Sequence, residues 1–138
     1  MAVPEGKRTE SKLDVQTKAI ELARYTKQIC QKERIIPKRD RWIIANRIID
    51  TAFTIMSSVN AANDIYVSTK GDFEERRRLQ TIAMSSTAEL LGLIDFAYVE
   101  YSIEGRRIRH WTKLTSEVRS LIKNWRNADK KRYQHLEQ

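Results

Sequence analysis

Apolar residues recur at spacings of three and four along the last long segment of the chain, residues 105–132. The residues that follow this rhythm are Ile108, Trp111, Leu114, Val118, Leu121 and Trp125. Such spacing is the period of one face of an α-helix. The segment is therefore predicted to be a single helix that is packed on its tryptophan-bearing side, with its basic residues on the other sides.

Positive charge is concentrated in the same segment. From Gly105 to the C-terminus there are ten Lys/Arg and three Asp/Glu, a net charge of +7, whereas residues 1–104 carry a net charge of +1. Because this helix is also predicted to be packed, we expect a fixed basic surface and not a flexible basic tail. An anionic partner is indicated: nucleic acid first, then an acidic membrane surface or an acidic protein. A generically basic protein without such a partner is the alternative.

The rest of the chain predicts three more helices. Its 138 residues are one domain by length, and only four Gly and two Pro disfavour a sheet with many turns. We expect helices over residues 11–34, 40–66, 72–101 and 105–132, joined by short connections. Helices of similar length with short connections predict an all-α, antiparallel up-down-up-down four-helix bundle. The bundle covers residues 11–132, after a flexible N-terminal arm (residues 1–10) and before a frayed C-terminal tail (residues 133–138).

Three side chains are predicted to begin these helices. Ser11 is the candidate N-cap of the first helix, and Asp40 is that of the second. Asp72 is the candidate N-cap of the third helix, with Glu75 completing a capping-box-like pattern. The first helix should pack through residues that follow a 4-3-4-3 rhythm, namely Val15, Ala19, Leu22, Thr26 and Ile29.

The second helix has more apolar residues than one stripe requires. One face consists of residues 44, 48, 52, 55 and 59, and a second, offset face consists of residues 42, 49, 53 and 56. A helix that is apolar around much of its girth needs burial on more than one side. The second face is either a subunit interface or the mark of a central position within the bundle.

No arrangement of residues indicates catalysis. A di-iron bundle site needs Glu-x-x-His pairs, but His110 and His135 are preceded at that spacing by arginines. There is no phosphate-binding glycine loop, and the only cysteine, Cys30, lies on an apolar stripe as a small buried residue. His110 is expected to be a solvated surface residue. We predict a protein that is not an enzyme and has no cofactor and no metal site.

The N-terminal residues MAVPEGKRTESK lack the apolar core of a signal peptide. We expect no membrane span, because no apolar run in the sequence approaches the roughly 20 residues that a span requires. We therefore expect a cytoplasmic protein without membrane contact, and attachment through an amphipathic helix is disfavoured because the core needs the apolar stripe of the last helix.

Binding through phosphate contacts is the remaining function. Arg76, Arg77 and Arg78 are consecutive near Glu74 and Glu75, a pattern typical of a solvated or ion-paired face. Arg76, in the core register, is expected to be partly buried and paired with an acidic side chain. Trp111 and Trp125 are interpreted as core residues and not as base-stacking platforms. With no pattern that reads base edges, we expect binding by shape and charge. The predicted nucleic-acid-binding residues are Arg77, Arg78, Arg106, Arg107, Arg109, Lys113, Lys123, Arg126, Lys130 and Lys131.

Two stretches give the chain a family resemblance. EERRRLQTIAMSSTAELLGLIDFAY (residues 74–98) and RRIRHWTKLTSEVRSLIKNWR (residues 106–126), set in a four-helix pattern, resemble a family of bacterial four-helix bundle proteins. The family includes the accessory variability determinant (Avd) of diversity-generating retroelements and the proteins encoded by intervening sequences in 23S ribosomal RNA genes. The intervening-sequence branch typically has an Asn-Ile-Ala/Ser-Glu-Gly-like stretch where this chain has NAANDIY at residues 60–66, which favours the Avd branch.

The resemblance implies a barrel-like homopentamer with a basic surface. It also implies binding of the retroelement's reverse transcriptase and of RNA or DNA, in support of mutagenic reverse transcription. The alternative function is an oligomeric protein-interaction scaffold of the intervening-sequence type, whose basic face meets an acidic protein partner.

Overall fold

Four long helices make up the computed structural model, which describes the backbone of residues 5–137 and side-chain surroundings from residue 14 to residue 136. They are α1 (Glu5–Cys30), α2 (Asn46–Asp64), α3 (Lys70–Tyr101) and α4 (Gly105–Arg132). The described residues contain no strand. The prediction of an all-helical, four-helix architecture is therefore confirmed, and the predicted bounds of the last helix match those of α4.

Polar contacts between helices show that neighbouring helices are antiparallel. Along α3 and α4, Arg76 is bonded to Asp129, Thr81 to Arg126 and Thr87 to Arg119. Residue numbers therefore rise along one helix as they fall along the other. Tyr25 and Lys18 of α1 meet Arg107 and Glu117 of α4 in the same reversed order. On α2 and α3, Arg47 is paired with Glu89, and Nη1 of Arg76 donates to the carbonyl of Ile65 just after α2, again in reversed order. Each helix packs against its neighbours in the chain, and α4 closes the bundle against α1.

The core runs the length of the bundle and consists mainly of aliphatic side chains. The predicted α1 stripe of Val15, Ala19, Leu22, Thr26 and Ile29 is wholly buried, as is Cys30. In α4, Trp111 is fully buried, and its indole Nε1 donates to Oγ1 of Thr26 at 2.9 Å. The buried line then follows Leu114, Val118 and Ile122, while the predicted Leu121 lies at its edge, half-buried.

The two ends of α1 and the C-terminal tail differ from the predictions. α1 begins at Glu5, directly after Pro4, and therefore includes Ser11, which was predicted to be its N-cap. Residues 1–4 of the predicted arm lie outside the described residues. α1 ends at Cys30, before residue 34. In the predicted tail, Gln134–Glu137 forms a short 3₁₀-helix.

The second predicted helix is helical from Lys38 to Asp64, but in three hydrogen-bonding patterns. A 3₁₀ turn (Lys38–Asp40) leads into a π-helical turn (Arg41–Ala45) and then into α2. Asp40 makes no capping bond; its Oδ2 accepts from the hydroxyl of Tyr101 at 2.7 Å instead. The prediction of Asp40 as an N-cap is therefore wrong, because a cross-bundle partner takes its carboxylate.

α3 begins with a capping box that lies three residues before the predicted one. Thr69 is the N-cap: its hydroxyl accepts from the backbone N–H of Asp72, and Oδ2 of Asp72 accepts from that of Thr69 at 3.0 Å. Asp72 is thus the third helical residue and not the N-cap. The bonds from Ser68 and Thr69 lower the pKa of the Asp72 carboxyl. Glu75, predicted to complete the box, pairs with Arg78 instead.

By length and composition, α3 also passes as a candidate membrane span, with a mean hydropathy of 1.3 over its most apolar 18 residues. The prediction that no run approaches such a span is therefore wrong for this helix. A third of that window is buried inside the bundle, including Ala83, Leu90 and Ile94. The core helix of a bundle needs the same composition.

A buried ion pair joins the beginning of α3 to the end of α4. Nε of Arg76 lies 2.8 Å from Oδ2 of Asp129, Nη2 donates to Oδ1 at 3.1 Å, and Nε2 of Gln80 donates to Oδ2 at 2.9 Å. The two charged side chains are only 3% and 2% exposed. The guanidinium also lies over the ring of Trp125, 5.1 Å from its centroid. The predicted burial and pairing of Arg76 are confirmed.

Asp129→Ala should lower the free energy of unfolding by about 3–5 kcal/mol, because it leaves the Arg76 guanidinium buried without a counter-charge. Urea titration followed by circular dichroism measures the change. The matched control Asp95→Ala removes an exposed carboxylate of α3 and should change stability by less than about 0.5 kcal/mol. A loss below about 1 kcal/mol for Asp129→Ala would contradict the burial of an obligate pair.

Candidate nucleic-acid interface

One side of α4 is turned away from both of its neighbours and is polar along its whole length. At roughly 100° per residue, the residues opposite the Trp111 side are spaced by three and four along the helix. All of them are exposed, and together we call them the outer face: Arg106, Arg109, Lys113, Ser116, Ser120, Lys123, Asn124, Asn127 and Lys131. Every member has at least one hydrogen-bond donor, and none is acidic, aromatic or aliphatic.

The carboxylates of α4 do not reach the outer face. Asp129 is buried against Arg76. Glu117 lies on the flank beside α1, where its Oε2 is 3.7 Å from Nζ of Lys18. Among residues 14–136, no carboxylate is paired with Arg109, Lys113, Lys123 or Lys131. Within these residues the four side chains therefore have no direct counter-charge, which favours the approach of a polyanion.

Arg106, at the start of the outer face, and two predicted residues beside it, Arg107 and Lys130, have different surroundings. Nε of Arg106 and Nε of Arg107 are 3.5 Å and 3.7 Å from the Glu104 carboxylate, in exposed pairs of the kind that contributes little. Arg107 is half-buried next to Tyr25, whose hydroxyl donates to the Arg107 carbonyl. Lys130 is exposed on the α3 side of the last turn. These residues extend the positive region at both ends of α4.

Arg126 is part of the α3–α4 contact. Its Nη2 donates to Oγ1 of Thr81 at 3.0 Å, and the side chain is half-buried. One α4 residue outside the predicted set, Arg119, has a similar place: Nη1 donates to the Met84 carbonyl at 3.1 Å and to Oγ1 of Thr87 at 2.9 Å. Both arginines join two helices, and their guanidinium groups are directed toward α3.

The two α3 arginines in the predicted set have partners on α3. Arg78 forms a two-point pair with Glu75, in which Nη2 donates to Oε1 at 2.6 Å and Nε donates to Oε2 at 3.0 Å. This pair lowers the pKa of the Glu75 carboxyl. Arg77 lies over the ring of Phe73, 5.8 Å from its centroid. Arg77 is also one turn before Thr81, which Arg126 of α4 contacts, so it is the nearer of the two to the α4 surface.

The predicted set leaves out some exposed polar residues of α4. Ser116, Ser120, Asn124 and Asn127 fill the outer face between its cations, and Arg132 is exposed in the last turn. Uncharged residues give no charge signal, but projecting the sequence on a helix at 100° per residue from Trp111 would have found them. Arg132 could have been identified from its charge alone.

The two tryptophans of α4 are withdrawn from solvent. Trp111 is inside the core, and Trp125 is half-buried beneath Arg76, as predicted for both. His110 is exposed, as predicted, with its ring edge-on to Tyr25 at a centroid distance of 4.7 Å. The outer face thus offers hydrogen bonds and charge, and it offers no ring on which a base could stack.

Other chemistries have little support in the described part of the chain. No group of three or more His, Cys, Asp or Glu side chains in it is placed to hold a metal ion. The Cys30 thiol is buried in the core, and burial raises its pKa to about 12, so the reactive thiolate is scarce near neutral pH. Comparison with protein-family models, with curated proteins and with solved structures finds no match for this chain.

Cys30 in the folded protein should react with 5,5′-dithiobis(2-nitrobenzoate) at pH 8 at least about a hundredfold more slowly than in denaturant, since burial suppresses the thiolate and blocks access. Absorbance of the released thionitrobenzoate measures the rate. The control, Ser85→Cys in a Cys30→Ser background, places the same thiol on the exposed side of α3 and should react rapidly. Fast modification of native Cys30 with helicity retained would contradict the burial.

Proposed function

We propose that this chain is a non-enzymatic, cytoplasmic accessory protein of the Avd type, which binds RNA or DNA through the outer face of α4 and also binds a reverse transcriptase. In this proposal it supports mutagenic copying of a template within a diversity-generating retroelement. The family assignment and the polymerase partner come from the resemblance of residues 74–98 and 106–126 to that family. The nucleic-acid-binding part is supported by the surface of α4.

The observation that carries the binding proposal is the uncompensated charge of the outer face. α4 has two carboxylates among its 28 residues: Asp129 lies in the core, and Glu117 lies on the α1 flank. The cations on its third side remain exposed, with serine and asparagine between them. Such a surface can bind phosphate oxygens through charge-assisted hydrogen bonds, without reading bases.

Assembly into a homopentamer is the second part of the proposal. On the second apolar face of the predicted second helix, Ile49 and Met56 are half-buried against the core, but Phe53 is 37% exposed and Trp42 is 81% exposed. Ile43, next to Trp42, is 71% exposed. Burial of such side chains against another subunit is favourable. The number of five copies comes from the family resemblance.

An acidic protein is the alternative partner of the same surface. Carboxylates would satisfy the lysines and arginines of the outer face as phosphates do, and the exposed Trp42 and Ile43 offer an apolar contact that a protein could use. This alternative corresponds to a scaffold of the intervening-sequence type. It predicts negligible binding of nucleic acid even at about 50 mM salt, whereas phosphate binding is strong at low salt.

The triple variant Arg109→Glu, Lys113→Glu and Lys123→Glu should lose retention of RNA and DNA at about 50 mM salt, with helicity unchanged, because all three side chains are exposed. Fluorescence anisotropy with labelled oligonucleotides measures the affinity. The charge-matched control reverses Lys27, Lys38 and Lys70, which are exposed on other parts of the bundle. Equal affinity of the two triple variants would remove the outer face as the binding site.

The double variant Trp42→Glu and Phe53→Glu should reduce the molar mass in light scattering from that of an oligomer to that of one chain. Two charges would be placed in an apolar contact, which costs several kcal/mol per subunit pair. The control variant, Tyr66→Glu with Val99→Glu, changes the side chains with 87% and 80% exposure. A wild-type protein with the mass of a single chain at all concentrations would rule out the assembly.

A further inference from the structure

The placement of aromatic rings relative to cations distinguishes the kinds of nucleic acid that α4 can bind. Proteins that bind single strands without sequence preference combine a basic groove with aromatic side chains, and each stacked base contributes about 1–3 kcal/mol. On α4 the two tryptophans are enclosed by the core and by Arg76. Bases laid on the outer face would meet only serine, asparagine, lysine and arginine side chains.

The nearest groove does not help a single strand either. The groove between α1 and α4 is lined by two carboxylates, Asp14 and Glu117, and two lysines, Lys18 and Lys113, and it borders the outer face at Ser116 and Ser120. Because the carboxylates offset the lysines, the groove has no net positive charge to attract a strand. Phosphates are therefore directed to the ridge of α4, whose own members include no acidic residue.

The ridge is long and straight. From Arg109 to Lys131 the rise is about 33 Å at 1.5 Å per residue, which is roughly the length of ten base pairs at 3.4 Å. Between Lys113 and Lys123 the ridge itself consists of Ser116 and Ser120, while Glu117 lies beside it on the α1 flank. A duplex presents regularly spaced phosphates on a stiff rod and does not need ordering, whereas a flexible strand must be ordered with no stacking to offset the loss of entropy.

From this geometry we infer that the outer face of α4 binds double-stranded nucleic acid along its phosphate backbone, in preference to single strands. This inference rests on the proposed nucleic-acid binding and names the class of ligand. The duplex can be DNA, RNA or a hybrid of the two, because phosphate rows are common to all three.

Anisotropy titrations of the full chain test the inference with 20-base-pair duplexes of DNA, RNA and hybrid, and with each separate strand, at about 100 mM salt. At least one duplex should bind about tenfold or more tightly than either of its own strands. If every strand binds as tightly as its duplex, the duplex inference is wrong while the proposed function stands. If neither form binds even at about 50 mM salt, the proposed function itself is wrong.

Two sets of variants distinguish contact along the ridge from general attraction to a basic protein. Ser116→Glu with Ser120→Glu should weaken duplex binding at least about tenfold, because the charges interrupt the ridge. The same two charges placed on the exposed side of α3, by Ser85→Glu with Ala88→Glu, should change it about threefold or less. Equal effects of the two pairs would overturn the inference.

The salt dependence of the affinity supplies an independent readout. Lys113→Gln with Lys123→Gln should reduce the slope of log affinity against log salt by about two for the duplex. A slope equal to that of the wild type would show that these two side chains do not contact phosphates and would contradict the inference.

Discussion

The buried ion pair of Arg76 and Asp129 is the interaction on which the positive charge of the outer face of α4 depends. It brings one carboxylate of α4 into the core and fixes which residues of α3 and α4 lie side by side. A buried pair of this kind contributes little net stability against an apolar replacement, but breaking it is costly. Its structural effect is to hold the helices in one register while leaving the outward side of α4 without acidic residues.

Polar bonds on the two flanks of α4 complete this arrangement. Arg119 and Arg126 bond to α3, while Trp111 and Glu117 face α1 through Thr26 and Lys18. Each of these bonds fixes the rotation of α4 about its own axis. A helix held on both sides presents its third side without freedom to turn, so the exposed cations form a surface of defined shape. That rigidity is what distinguishes this basic segment from a disordered basic tail.

Much of this arrangement could be predicted from periodicity. The 4-3-4-3 rhythm identified the buried face of α1, and the burial of Trp111 and Arg76 followed from their place in the helical register. The capping residues were less accessible, because Thr69 and Asp72 are both good N-cap residues and only the connection from α2 decides between them. Asp40 was misassigned since its partner, Tyr101, lies 61 positions further along the chain. Charge counting likewise could not show that Arg126 turns to Thr81.

The π-helical turn at Arg41–Ala45 has a consequence for how this bundle tolerates change. A π turn accommodates one more residue than the α-helical turn that would replace it, so it behaves as a single-residue insertion absorbed within a helix. Removing one residue there would let the turn close with α-helical hydrogen bonds, so that the residues of the turn itself shift by about 100° around the helix while Ile48 and Ile55 stay in place. Trp42 and Ile43, which are 81% and 71% exposed, belong to this turn and would change their direction. The loss of one codon at this turn would thus alter the exposed apolar surface of the molecule while its core stays the same.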